Sequence, residues 1–284
     1  MSTLGTFTKN ADLVPSERDL VALAWDASSR AHCFQSNFPV GAALVAVNAA
    51  GASKTFAGCN VENDSFPATI CAERNAATTA IAEGYTRFTA VAVVCRKHPG
   101  GSPCGLCRQV LRQFGSKDAV LLNICDHDSN VLRATVGELL PAPTGASEPF
   151  AGLHYTERQI VDRVLRQAAL SHVPYSKKPR GAVVVAANKA GDRKRYAGTQ
   201  VDNASYGGTM SAERSAIAAA VSAGYTNVLK LAVTGENPID GECLQVLREF
   251  AALSADVLFV APDKSIVRAT LDQLLPDSFG PDSL

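Results

Sequence analysis

Shifted by 140 residues, the chain overlies itself. Gly58-Cys59-Asn60-Val61-Glu62-Asn63 meets Gly198-Thr199-Gln200-Val201-Asp202-Asn203, Ala72-Glu73-Arg74 meets Ala212-Glu213-Arg214, and Gly84-Tyr85-Thr86 meets Gly224-Tyr225-Thr226. After a loop four residues shorter in the second copy, the run from Cys107 to Phe114 matches that from Cys243 to Phe250, and Ala134–Pro141 matches Ala269–Pro276. A period this long describes two homologous domains rather than a solenoid of short units. The turn-forming segment from Pro141 to Pro149 separates them, so the expected domains are 1–148 and 149–284.

Each copy has the same coarse pattern. An amphipathic helix opens at Pro15-Ser16-Glu17, and again near Thr156-Glu157, followed by a buried apolar strand, Val40 to Val47 or Gly181 to Ala187. In the first copy a helix from about Ala72 to Glu83, a strand from Ala90 to Val94, a helix from Pro103 and a strand from Ala119 to Ile124 complete the list. Such alternation argues for an α/β sandwich in each copy, a mixed sheet flanked by helices.

Composition narrows the class of partner. With 46% hydrophobic and 19% charged residues the chain is that of a folded protein. Net charge is zero, and the two halves, divided at residue 150, carry 12 basic against 13 acidic residues and 15 against 14. Neither half is an electrostatic match for nucleic acid, and a small-molecule substrate fits better. No window resembles a membrane helix and the N-terminus lacks the pattern of a signal peptide, so the expected location is cytoplasmic. Eight cysteines in that setting read as reduced thiols or metal ligands, and the Asn63 and Asn203 sequons as unglycosylated.

The chemistry concentrates in Cys71-Ala72-Glu73 and Pro103-Cys104-Gly105-Leu106-Cys107. Three thiols and one carboxylate at this spacing make a three-cysteine metal site with an acid/base beside it and one coordination position open, the pattern of catalytic zinc. Cys71 and Glu73 would diverge on a regular helix, because residues two apart do not face each other, so Cys71 is placed at a helix start. Pro103 points to a second helix start at the other cysteine pair. Two helix N-termini and Arg74 then offset the charge of three thiolates, and Glu73 supplies a base that takes a water proton and returns protons to the substrate.

With Phe38-Pro39-Val40-Gly41 and Asn60-Val61-Glu62-Asn63, these motifs resemble the cytidine deaminase family in its three-cysteine form. The likeness spans the first copy and, weakened, the second. It implies Cys71, Cys104 and Cys107 as ligands of one zinc per chain and Glu73 as proton shuttle; Arg74, next to the cluster, is placed to donate to a thiolate. It also implies a substrate pocket of Phe38, Asn60, Glu62 and Ala72, with Asn60 and Glu62 on the ribose hydroxyls. The expected reaction is attack of zinc hydroxide on C4 of cytidine or deoxycytidine, yielding uridine or deoxyuridine in pyrimidine salvage.

The second copy reads Ser211 for Cys71 and Asp240 for Cys104, keeping Cys243 and Glu213, so no three-cysteine zinc site forms there. It retains other positions at which family members lend residues to a neighbour's pocket: Tyr175, Ala204, Tyr206 and Phe279. These are expected to wall the first copy's site, and two chains to form a homodimer with four domains, a pseudo-tetramer. The alternatives are a deaminase acting on cytosine in RNA or DNA and a regulatory nucleoside-binding pseudoenzyme. A closed structural zinc knot is disfavoured because it leaves Glu73 without purpose. Cys33, Cys59, Cys95 and Cys125 read as core packing, and the five histidines, among them His98 and His127, as ordinary surface or hydrogen-bonding groups. The basic runs at Lys177-Lys178 and Arg193-Lys194-Arg195 read as solvated faces.

Overall fold

A computed structural model describes residues 5–96, 102–124, 130–143, 146–235 and 238–281. Cys125, His98 and His127 lie outside them. The chain divides into two compact units, Met1–Pro141 with Pro276–Leu284, and Ala142–Leu275. Residues Ser147–Glu148 pair with the sheet of the second unit, which carries its start ahead of position 149, and the C-terminal segment after Leu275 groups with the first unit.

The first unit runs β1 (Thr6–Lys9), α1 (Pro15–Ser28), β2 (Val40–Asn48), β3 (Ser53–Cys59), α2 (Ala72–Ala82), β4 (Tyr85–Cys95), α3 (Gly105–Phe114), β5 (Gly115–Ile124), β6 (Asn130–Thr135) and α4 (Val136–Leu139). The second repeats it as β7 (Ser147–Glu148), α5 (Tyr155–Ala169), β8 (Gly181–Ala187), β9 (Arg193–Thr199), α6 (Ala212–Ser222), β10 (Asn227–Thr234), α7 (Gly241–Phe250), β11 (Ala251–Val260), β12 (Ile266–Thr270) and α8 (Leu271–Leu274). The sheets have equivalent strand orders, β1-β6-β5-β4-β2-β3 and β7-β12-β11-β10-β8-β9. In each, the central pair, β4 with β5 or β10 with β11, is parallel and the other neighbours are antiparallel.

Helices on both faces explain why the central strands are near-continuous apolar runs. Strand periodicity sends Ala42, Leu44, Val91 and Val93 to the layer under α2 and α3, where they meet Ala72, Ala76, Ala77 and Leu111. Their neighbours Ala43, Ala92 and Val94 face α1 through Leu20, Val21 and Ala24. The alanine-rich face of α2 lets it lie close to β3. A Cβ at Gly58 would come within 2.5 Å of the Ala76 nitrogen, so this crossing requires glycine. The parallel pair needs a crossover, and α3 supplies it, beginning beyond the carboxyl end of β4.

Several boundaries differ from the sequence expectation. The strand expected at Ala90–Val94 occupies Tyr85–Cys95, and that expected from Ala119 starts at Gly115. Edge strands β3 and β9 were missed because their exposed ends are polar, which masks the strand signal. The helix expected from Pro103 starts at Gly105, with Cys104 as its cap.

Candidate active site

Cys71 is the N-cap of α2 and Cys104 the N-cap of α3, both with extended backbone, and Cys107 follows in the first turn of α3. This is how residues two apart, Cys71 and Glu73, serve one site: the cap residue has left the helical path. The three sulfurs lie within 4.8 Å of one another, with Cys71 Sγ 3.8 Å from Cys104 Sγ and Cys104 Sγ 3.4 Å from Cys107 Sγ. Tetrahedral zinc with thiolates at about 2.3 Å spaces its sulfurs by about 3.8 Å. The donor set fits such an ion.

The charge balance fits it as well. Donation from Cys104 and then Cys107 holds the Cys71 thiol well below its usual range, and Arg74 assists by its charge and a 3.7 Å contact. Cys107 is driven well above it by its hydrogen bonds to Cys104 and Cys71 and by burial. A cation at their centre would favour ionisation of all three thiols. Arg74 also donates to Thr69 O at 2.8 Å, which fixes its direction.

Glu73, 4% exposed, lies in the first turn of α2. Burial, followed by the charge on Cys71, pushes its carboxyl up to about 7. A cavity of about 300 Å³ opens over these groups, lined also by Phe38, Asn60, Glu62, Ala72, Ser102 and Phe279. Phe38 and Phe279 meet edge to face, ring centres 6.0 Å apart at 64°.

Of the residues expected from sequence, the first unit thus gathers Phe38, Asn60, Glu62, Cys71, Ala72, Glu73 and Cys104 around one cavity, with Cys107 and Arg74 behind it. Phe279, expected as a loan from the second domain, belongs to the first unit. Tyr175, Ala204 and Tyr206 lie in the second unit, where the two tyrosine rings pack edge to face at 6.3 Å.

Two polar groups also do local work. Asn60 accepts from Val40 N at 2.8 Å and donates to Phe38 O at 2.9 Å, leaving one lone pair and one hydrogen for a ligand. Glu62 accepts from the Gln35 and Ser36 amides at 2.8 and 3.2 Å and from the Ser36 hydroxyl. Burial works upward on its carboxyl and is outweighed by these bonds, so the net shift is downward.

Arg108 and Ser102 were not foreseen. Arg108 is 1% exposed and donates to Pro103 O (2.7 Å), Leu139 O (2.7 Å), Ser102 Oγ (3.0 Å), Pro276 O (2.5 Å) and Asp277 O (2.7 Å). Burial lowers it to about 10, against the opposing charge of Asp277. One side chain ties the start of α3 to the segment that carries Phe279. The repeat held a signal for it: Arg108 stands opposite Leu244.

In the second unit, Ser211 caps α6 and Asp240 caps α7, which fixes their equivalence to Cys71 and Cys104. Cys243 Sγ donates to Ser211 Oγ at 3.1 Å. Asp202 accepts from the Tyr175 and Ser176 amides at 3.2 and 2.7 Å, as Glu62 does in the first unit.

An α/β sandwich with three convergent thiols, two at helix caps and one in a first turn, and a buried carboxylate over a small cavity defines a metal-binding pocket protein of hydrolytic type. Residues 15–123 match the family model of the cytidine and deoxycytidylate deaminase zinc-binding region. A cytidine deaminase of Sporosarcina psychrophila is 40% identical over 124 residues, 43% of this chain and 86% of that protein. A probable cytidine deaminase of Dictyostelium discoideum is 36% identical over 137 residues, 48% and 88% of the two chains. The crystal structure of cytidine deaminase from Burkholderia pseudomallei aligns at 40% identity over 44% of this chain and 95% of that one, with a TM-score of 0.40. The chain belongs to the cytidine deaminase family.

Proposed function

We propose that the first unit hydrolyses the 4-amino group of cytidine and deoxycytidine, giving uridine or deoxyuridine and ammonia in pyrimidine salvage. The observation that carries this reading is the convergence of Cys71, Cys104, Cys107 and Glu73 on one cavity. Cys71, Cys104 and Cys107 would hold a zinc ion, whose Lewis acidity would acidify water. The helix N-termini behind Cys71 and Cys104 offset the thiolate charge. Glu73, poised near neutrality, takes the proton of the attacking water, delivers it to N3 of the ring and serves the departing amino group in turn. Phe38 and Phe279, packed edge to face on each other, give the base an apolar wall, and the remaining capacity of Asn60 and Glu62 serves the sugar.

The second unit has no equivalent thiol set among its described residues, so one zinc per chain is expected. Two chains associate through apolar side chains that each unit leaves exposed, including Phe66, Ile70, Tyr206 and Met210. The described helices include none long and apolar enough to cross a membrane. The deciding experiment follows the ultraviolet absorbance of cytidine on adding zinc-loaded protein. Unchanged absorbance, or faster turnover of a cytidine-containing oligonucleotide than of cytidine, overturns the assignment.

A further inference from the structure

In the second unit a cavity of about 480 Å³ overlaps the place that the active-site cavity of about 300 Å³ holds in the first, sharing the positions of Val40, Asn60, Cys71, Glu73 and Cys104 and extending further to Leu165 and Ala168 of α5. It opens beyond the carboxyl ends of the parallel strands β10 and β11, at Thr234 and Val260, the usual ligand position in α/β sheets. Glu213, the counterpart of Glu73, lies at its floor with 1% exposure. The cationic head of Arg180 reaches the carboxylate from the start of β8, with Nε 2.8 Å and Nη2 2.7 Å from Oε1. Arg180 replaces Val40 of the first copy, so the ionic partner arrived where the thiols were lost.

That ion pair satisfies only half of Glu213. Oε2 is buried and accepts no hydrogen bond. A bare carboxylate oxygen in a cavity is costly unless a donor visits it. The cavity mouth adds Lys177 and Lys178, both exposed, whereas Leu165, Pro179 and Pro262 form apolar walls. The site therefore combines a buried oxygen that can accept from an N–H group, apolar side chains at Leu165 and Pro262, polar groups at Gln200, Ser211, Thr234 and Asp240, and two exposed cations.

We propose that this cavity binds a pyrimidine nucleoside monophosphate. The amino edge of the base donates to Glu213 Oε2, the ring and sugar lie against the apolar walls, and the phosphate meets Lys177 and Lys178. Without the three-thiol set the second unit activates no water, so the nucleotide is bound and not turned over. The choice of a pyrimidine rests on the nucleoside reading of the first unit; the acceptor and the cations do not.

Isothermal titration of the zinc-loaded full chain with cytidine monophosphate, in saturating uridine to fill the first cavity, tests this. One binding event per chain is expected, weakened tenfold or more by the exposed pair Lys177→Ala/Lys178→Ala, whose cytidine turnover stays at the wild-type rate. Glu213→Gln should weaken the nucleotide but not inorganic phosphate. No saturable binding, equal affinity in the lysine variant, or phosphate binding as tightly as the nucleotide overturns the proposal. Absence of cytidine turnover, with lysine-dependent nucleotide binding intact, overturns the proposed reaction instead.

Discussion

At Glu73 two requirements meet: the carboxylate must be buried to stay near the reacting atoms, and it must still release its proton. Burial and the adjacent thiolate place it at about 7, between the two states. Glu73→Gln preserves volume and removes the base. Cytidine turnover should fall by roughly 10³-fold, while zinc content per chain is unchanged by metal analysis. An active Gln variant would remove Glu73 from the proposed mechanism. The arrangement within each motif was legible in the sequence because helix caps are local: the spacings Cys71-Ala72-Glu73 and Cys104-Gly105-Leu106-Cys107 set how each cap presents its side chains, whereas the meeting of the two motifs is a product of the sheet order. Glu62 was legible only in part. Its bonds to Gln35 and Ser36 cross a stretch of chain over which periodicity carries no information.

At the scale of elements, long-range polar ties position what the sequence pattern leaves loose. Arg108 binds the start of α3 to the segment bearing Phe279, and no local signal links Arg108 to Pro276 and Asp277. Arg108→Met leaves several buried carbonyls without donors, so a loss of about 3 kcal/mol or more in unfolding free energy is expected, with a raised KM for cytidine. Phe279→Ala, which removes only the ring, should raise KM by about 3- to 10-fold with little change in Tm. Unchanged KM in both variants would separate the C-terminal segment from substrate binding.

The second unit has a tie of another kind: Glu157 on α5 accepts from Arg268 on β12 at 2.8 and 3.0 Å and from Lys230 on β10 at 2.8 Å. The repeat places Glu17 and Arg133 at the same positions of the first unit, where they also pair. Hydrogen bonding to Arg268 first, then to Lys230, outweighs burial and holds the Glu157 carboxyl at about 2. Because the folded value lies below the unfolded one, the stability it confers is complete above about pH 5 and fades as pH falls toward 2. After allowance for solvent, that contribution is on the order of 1–2 kcal/mol. Denaturant unfolding of Glu157→Gln should show lower stability at neutral pH and a flatter acid limb than the wild type. Parallel pH curves would show that the pair contributes nothing.

For the whole molecule, duplication explains both what was lost and what was kept. A domain freed from catalysis need not keep thiols, and the second unit has replaced two of them with Ser211 and Asp240. Yet both units leave apolar side chains in solvent at equivalent places: Val61 and Val201, Phe66 and Tyr206, Ile70 and Met210, with Phe66 73% and Tyr206 76% exposed. Apolar groups at a shared position are the surface through which the proposed association of two chains would run, because solubility alone would favour polar replacements. In the proposed dimer the partner is a second copy of the chain, which would bring together four related domains. Sedimentation equilibrium should give twice the 29.8 kDa chain mass, with two zinc ions per particle. Tyr206→Lys should shift the protein toward single chains without altering its secondary structure by circular dichroism. A wild-type protein that sediments as a single chain at micromolar concentration would leave these residues without the partner argued for.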